Sequence, residues 1–172
     1  MTPTLFTSDI SGLDLPIPPR NLRLVLPSNR KSTEKVLSVE EWAILHHIPY
    51  CYQQPRFEAA KTHMEGTDPY PQIYGDYGVS WFYTMLFDSV ILSAMPIVNF
   101  HAGPPGPHAL KKALARGDKY ITCFWHQVDN TVDDGKVLIS KAIELKRDFA
   151  KAREDIIRTG IELYSQLRGD YV

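Results

Sequence analysis

The sequence predicts an α/β domain with a mostly parallel central sheet, helices on its faces and one antiparallel pairing late in the chain. Three observations carry that prediction. Residues 22–52 read strand, helix, strand, the unit that builds a parallel sheet through a right-handed crossover. Met95-Pro96-Ile97-Val98-Asn99-Phe100-His101 reads as a strand ending in polar residues, as at the carboxyl tip of a sheet strand. Residues 120–128 and 137–142 alternate well enough for two strands that pair across a loop at 129–136.

Taken in order, residues 1–21 hold Pro16, Pro18 and Pro19 among Ser, Thr and Asp. That excludes a helix and reads as an irregular arm with at most one short extended segment. Leu22-Arg23-Leu24-Val25-Leu26 is the first clear strand, and 27–30 is a turn. Ser32 or Thr33 caps a helix from Glu34 to about His47, in which Val36, Val39, Ala43, Leu37 and Ile44 fall near helical spacing. Residues 48–52 form a second short strand. Residues 57–64 read as a short helix, 66–71 as a loop, 77–82 as a third strand and 87–92 as a short helix or turn. The fourth strand, 97–101, leads into a rigid loop at 102–107 that contains Pro104, Pro105 and Pro107. Residues 109–116 form a helix stopped by Gly117. A terminal helix starts near Asp148 and runs to about Leu167. With no internal repeat or composition break, residues 22–172 are expected to form one domain.

Composition narrows the function classes. The chain has 172 residues and a net charge of −1 with no long basic run, which argues against nucleic acid as the main partner. No apolar run of about 18 residues is present, so no membrane span is expected. The first residues lack the basic start and apolar centre of a signal peptide. Cys51 and Cys123 make neither a disulfide framework nor a metal spacing, and each lies in an apolar run. Buried free thiols in a reducing cytoplasm fit this pattern.

The chemistry is concentrated in Asn99-Phe100-His101 and, about thirty residues on, Asp133-Asp134-Gly135. An amide, an imidazole and a carboxylate serve acyl transfer: one donates to an oxyanion, one moves a proton, one orients or relays. Asn99 and His101 occupy alternate strand positions and so face one side. Such a pair is often only a hydrogen-bonded structural feature. Asp133 equally suits a turn, and Asp134 competes with it; spacing to Gly135 favours Asp133. His126 reads as a cleft residue or as a satisfied core histidine. His46-His47 suits the carboxyl end of a helix better than a metal. His108 and His101 are separated by three prolines, and no metal is expected. Trp81, Phe82, Tyr83 and Phe87 are more often core than ligand wall, although a flat heterocycle would use such walls.

Residues 77–145 resemble the catalytic core of the folate-dependent formyltransferases, the family of glycinamide ribonucleotide, methionyl-tRNA and sugar N-formyltransferases. The resemblance rests on Asn99-Phe100-His101, the helix at 109–115, Gly117-Asp118, the strand at 122–128 and Asp133-Asp134-Gly135. Gly78-Val79-Ser80-Trp81-Phe82 takes the place of the strand lining the folate pocket. The resemblance implies a formyltransferase-like fold and roles for three residues. Asn99 would hold the formyl oxygen, His101 would act in proton transfer or stabilise the same charge, and Asp133 would help take the amine proton. The implied donor is 10-formyltetrahydrofolate, with Trp81, Phe82, Tyr83, Met85, Leu86 and Val132 about it. The implied reaction is formyl transfer to the amine of a small-molecule acceptor of amino-sugar or glycinamide ribonucleotide type. Hydrolysis of the same donor and a non-catalytic binding domain are the alternatives.

Two departures stand out. The family usually has Ser-Leu-Leu-Pro after the His and its next residue, where this chain has Gly103-Pro104-Pro105-Gly106. The family also begins with a strand and a Gly- or Ser-containing turn, which in the purine enzyme binds the substrate phosphate. Leu22–Leu26 matches the family's second strand, so the first strand–helix unit is expected to be missing. Alternatively, Leu22–Leu26 is the first strand and residues 28–32 form an anion loop. Loss of the first unit would leave a bare sheet edge and favour self-association.

Overall fold

The computed structural model describes residues 1–18, 21–30, 32–54, 75–129 and 133–171, with side chains described as far as residue 167. Its contacts gather into two compact units, Met1–Ile97 and Val98–Val172. Among the described residues no helix is long and apolar enough to cross a membrane.

The first unit contains β1 (Pro3–Thr7), β2 (Arg23–Pro27), α1 (Glu34–Leu45), β3 (Tyr50–Gln53), β4 (Tyr77–Trp81) and α2 (Ser89–Ala94). The four strands are ordered β3-β2-β1-β4, and every pairing is parallel. Leu5 faces Leu24 and Val79 in register, and Leu5, Leu24, Leu26 and Val79 are buried among the core residues. Helix α1 buries Val36, Val39 and Ala43, the stripe its spacing announced, with Thr33 at its N-cap position. Asp88 caps α2 by accepting from the Ile91 amide at 2.9 Å. Among the described residues, four mutually parallel strands of seven, with helices beside them, agree with the predicted class.

Two expectations about the start of the chain need correction. The expected irregular arm at 1–21 contains, among its described residues, a strand and a 3₁₀ turn, and the first strand is not missing. Pro3–Thr7 is a central strand, buried along its whole length between β2 and β4. A strand buried on both faces shows no alternation, and this one is only five residues long, so the periodicity test passes over it. Pro3 is tolerated because it opens the strand. What is reduced is the helix that should follow: a single 3₁₀ turn, Ile10–Asp14, stands there. Leu22–Leu26 is accordingly the second strand, which overturns the alternative that made it the first. The expected short helix at 57–64 and loop at 66–71 lie outside the described residues.

The second unit carries β5 (Ile97–Ala102, of which Ile97 belongs to the first unit), α3 (Ala109–Arg116), β6 (Tyr120–Gln127), β7 (Val137–Glu144) and α4 (Phe149–Tyr171). Strands β5, β6 and β7 pair antiparallel; the β6–β7 pairing is the one that the alternation on either side of 129–136 predicts. Gly117 closes α3 at φ 77°, the left-handed conformation that glycine adopts at no steric cost. Helix α4 buries Ala152, Ile156, Leu163 and Leu167 on one stripe. It is keyed to β6 by Trp125, whose indole N–H donates to the Gly160 carbonyl at 2.9 Å and whose ring lies 5.0 Å from that of Tyr164. Cys123 is fully buried and Cys51 half-buried; both are free, and burial pushes their thiols up to about 12 and about 11.

Candidate active site

Pairing of β5 with β6 sets the site. Asn99 stands opposite His126 and His101 opposite Phe124, while Phe100 and Trp125 are paired on the other face. Period-two alternation therefore sends Asn99, His101, Phe124 and His126 to one side and commits the intervening aromatics to packing. The loop after β6 brings Asp133 back onto that side. Asp133 adopts φ 52°, a left-handed conformation that Asp tolerates better than most residues. Gly135 lets the chain pass against β6, since a Cβ there would collide with the Gln127 carbonyl. The Gln127 amide donates to the Lys136 carbonyl at 2.9 Å and closes the loop.

Three predicted residues are thereby brought together. The Asn99 amide nitrogen lies 3.0 Å from His126 Nε2 and 3.2 Å from Asp133 Oδ1. His101 Nδ1 lies 3.4 Å from Asp133 Oδ2, and its Nε2 lies 3.0 Å from the Pro104 carbonyl oxygen. Each nitrogen of the His101 ring thus faces an acceptor. The Gly106 amide donates to Asp133 Oδ2 at 3.1 Å. The Gly103–Pro107 loop therefore contacts both His101 and Asp133 through its backbone, so its departure from the family pattern leaves the trio intact. Asp134 is exposed, and the carboxylate within reach of Asn99 and His101 is that of Asp133.

His126 is the residue that sequence reasoning left undecided. It is 2% exposed, and burial lowers its pKa below the usual imidazole range. Its Nδ1 lies 2.9 Å from the Gln127 carbonyl oxygen, an acceptor, so the proton sits on Nδ1 and Nε2 accepts from Asn99. The 3.9 Å approach of Nε2 to Asp133 is consequently a contact of a neutral ring, not an ion pair. His126 holds the Asn99 amide in place. Only strand register reveals this, because 27 residues separate the two.

The residues expected about the donor belong to the first unit, apart from Val132, which lies outside the described residues. Trp81 is wholly buried and its indole N–H donates to Ser11 Oγ at 3.0 Å, so it supports the segment from within rather than forming a wall. Phe82 is half-buried at φ 48° with its ring edge-on to Trp81. The Tyr83 ring stacks on Phe87 at 5.5 Å, and its hydroxyl donates to the Gln53 side chain at 2.8 Å. Met85 Sδ accepts from the Ser28 hydroxyl at 3.6 Å, and Leu86 is half-exposed. Among the described residues no group of three or more His, Cys, Asp or Glu is placed to hold a metal ion.

No protein-family model matches the chain. In sequence it is similar to the methionyl-tRNA formyltransferase of Fervidobacterium nodosum, at 25% identity over 126 residues. That alignment takes in 70% of this chain, and the chain spans only 41% of that relative. In structure it is similar to the phosphoribosylglycinamide formyltransferase of Bacillus halodurans, with a TM-score of 0.74 at 21% identity, covering 97% of this chain and 93% of that one. A sugar 3N-formyltransferase solved in the presence of dTDP and 5-N-formyl-THF is similar over 96% of this chain and 61% of its own, with a TM-score of 0.68 and 10% identity. The likeness to the formyltransferases and the fold it implies are borne out.

Proposed function

We propose that this chain, which has the formyltransferase fold, transfers a formyl group from a 10-formyltetrahydrofolate donor to the amine of a small-molecule acceptor. The observation that carries the reading is the convergence of Asn99, His101 and Asp133 within hydrogen-bonding reach on one face. Acyl transfer needs donors aimed at the oxygen that becomes negative and a base beside the nitrogen that loses its proton. Asn99 supplies the first with the amide proton now turned to Asp133. Asp133 supplies the second, directly or through a water. His101 returns a proton to the departing nitrogen while Asp133 holds its ring.

A folate-type donor is supported by the sugar 3N-formyltransferase solved with 5-N-formyl-THF. The partly exposed apolar side chains of Phe82, Met85 and Leu86 suit the flat face of a pteridine; Trp81 serves by backing that segment.

Calorimetry with a stable 10-formyltetrahydrofolate analogue tests the reading on wild type, His101→Ala and Asp133→Ala. Binding near micromolar, about −8 kcal/mol, is expected for wild type, and formyl transfer is lost in both variants. Formate release with no amine present identifies hydrolysis of the same donor instead. Absence of binding at high protein concentration sinks both folate readings.

A further inference from the structure

Phe124 shares the face of Asn99, His101 and His126 and has no part in the chemistry described above. It stands directly opposite His101 on β5 and Ser140 on β7, all within the second unit. Its ring lies 5.5 Å from that of His101 and 5.6 Å from that of His126. The aromatics on the other face of these strands are core. Phe100 and Trp125 are buried with their rings 5.4 Å apart, and Trp125 packs under α4. Phe124 gains no such burial. It is half-buried, and its neighbours on the same face, Thr122, Ser140 and Ala142, are small and exposed.

A phenyl ring partly open beside the reacting groups, with hydroxyls about it, has the make-up of a small-molecule site: an apolar wall and a few placed polar groups. Thr122 is one alternation away, about 7 Å along β6. It lines a cleft of about 310 Å³ together with Pro104, Asp118 and Tyr120. A molecule whose amine stands at His101 and Asp133 can thus lay its carbon skeleton over Phe124 and extend its substituents toward Thr122. The face of an aromatic ring is electronegative and attracts the weakly positive hydrogens of C–H groups. A saturated ring offers several such hydrogens on one side and loses little freedom when it settles there. An open chain offers fewer and must be ordered first.

We propose that Phe124 is a specificity-determining residue, the platform on which the acceptor's carbon skeleton stacks, and that it favours an amine borne on a saturated, hydroxylated ring over an open-chain amine. The naming of that molecule as acceptor rests on the formyl-transfer reading; its binding on Phe124 does not.

Glucosamine, with its amine on a ring, and glycinamide, with its amine on an open chain, are the probes. The full chain with isotope-labelled Phe rings is titrated with each, without folate. Loss of one signal in Phe124→Leu identifies that of Phe124, and the rest of the spectrum reports whether the fold is kept. Saturable movement of the Phe124 signal is expected with glucosamine, at an affinity about threefold or more above that for glycinamide. No movement, or equal affinity, overturns the proposal. In a chain that transfers formyl groups, kcat/KM for glucosamine relative to glycinamide is expected to fall about three- to tenfold in Phe124→Leu, through KM. Phe124→Tyr keeps the ring and is expected to restore it. Equal losses for both amines would mean that the ring only packs against the two imidazoles, and would overturn the proposal as well. A chain that binds glucosamine at Phe124 and transfers nothing retires the transfer reading and keeps the Phe124 result.

Discussion

Asn99 and His126 are direct partners across β5 and β6, with the amide nitrogen of one 3.0 Å from the ring nitrogen of the other. The histidine is buried and its Nδ1 faces the Gln127 carbonyl oxygen, so the proton sits there and Nε2 is left to accept. One amide proton of Asn99 is thereby fixed, and the other is left pointing at Asp133. The geometry of the Asn99 amide, the proposed oxyanion donor, is thus decided by a residue 27 positions away.

Asn99→Ala should lower the turnover number by about 10²–10³-fold, the usual cost of one preorganised oxyanion donor. Binding of the donor analogue should change little, because the lost interaction forms in the transition state. Steady-state kinetics beside calorimetry separates the two. Equal loss in binding and turnover would make Asn99 a pocket residue and nothing more.

The buried neutral His126 should make stability depend on pH. Its folded pKa is lowered by burial, whereas the unfolded chain has the ordinary value near 6.5. The unfolded state therefore binds more protons as pH falls below about 6.5, and stability drops until the folded pKa is passed. Urea unfolding at pH 7.5 and pH 5.5 should show wild type weaker at the lower pH. His126→Gln should lose less over the same interval. An identical pH dependence in the variant would show that other groups set it.

Gly135→Ala should destabilise the fold by about 2 kcal/mol, since the added methyl would press on the Gln127 carbonyl and force the loop off β6. The shift in urea midpoint measures this. Asp133 rides on the same loop, so turnover should fall further than the loss of folded protein explains. A variant of wild-type stability and activity would mean that the loop can move away without disturbing Asp133.

The elements visible in the sequence are those whose periodicity is intact. Val36, Val39 and Ala43 announce α1, Gly117 marks the end of α3, and the alternation of 120–128 and 137–142 announces the β6–β7 pairing. Asn99 and His101 were legible as a pair because a strand places alternate residues on one face. Strand β1 was not, because burial on both faces erases alternation in a five-residue segment. The aromatic character of Trp81 suits core better than ligand wall, and only the resemblance places it about a donor; its hydrogen bond to Ser11, 70 positions away, leaves no mark in the sequence.

Residue types and local periods determined the α/β class, the strand that carries Asn99 and His101, and the Asp133–Gly135 turn. Tertiary structure decided that Asp133 rather than Asp134 meets them, that His126 holds the amide, and that Phe124 stands beside both imidazoles. The physical reason is that each of these depends on strand register or on packing between residues distant in sequence, and neither leaves a local period to read.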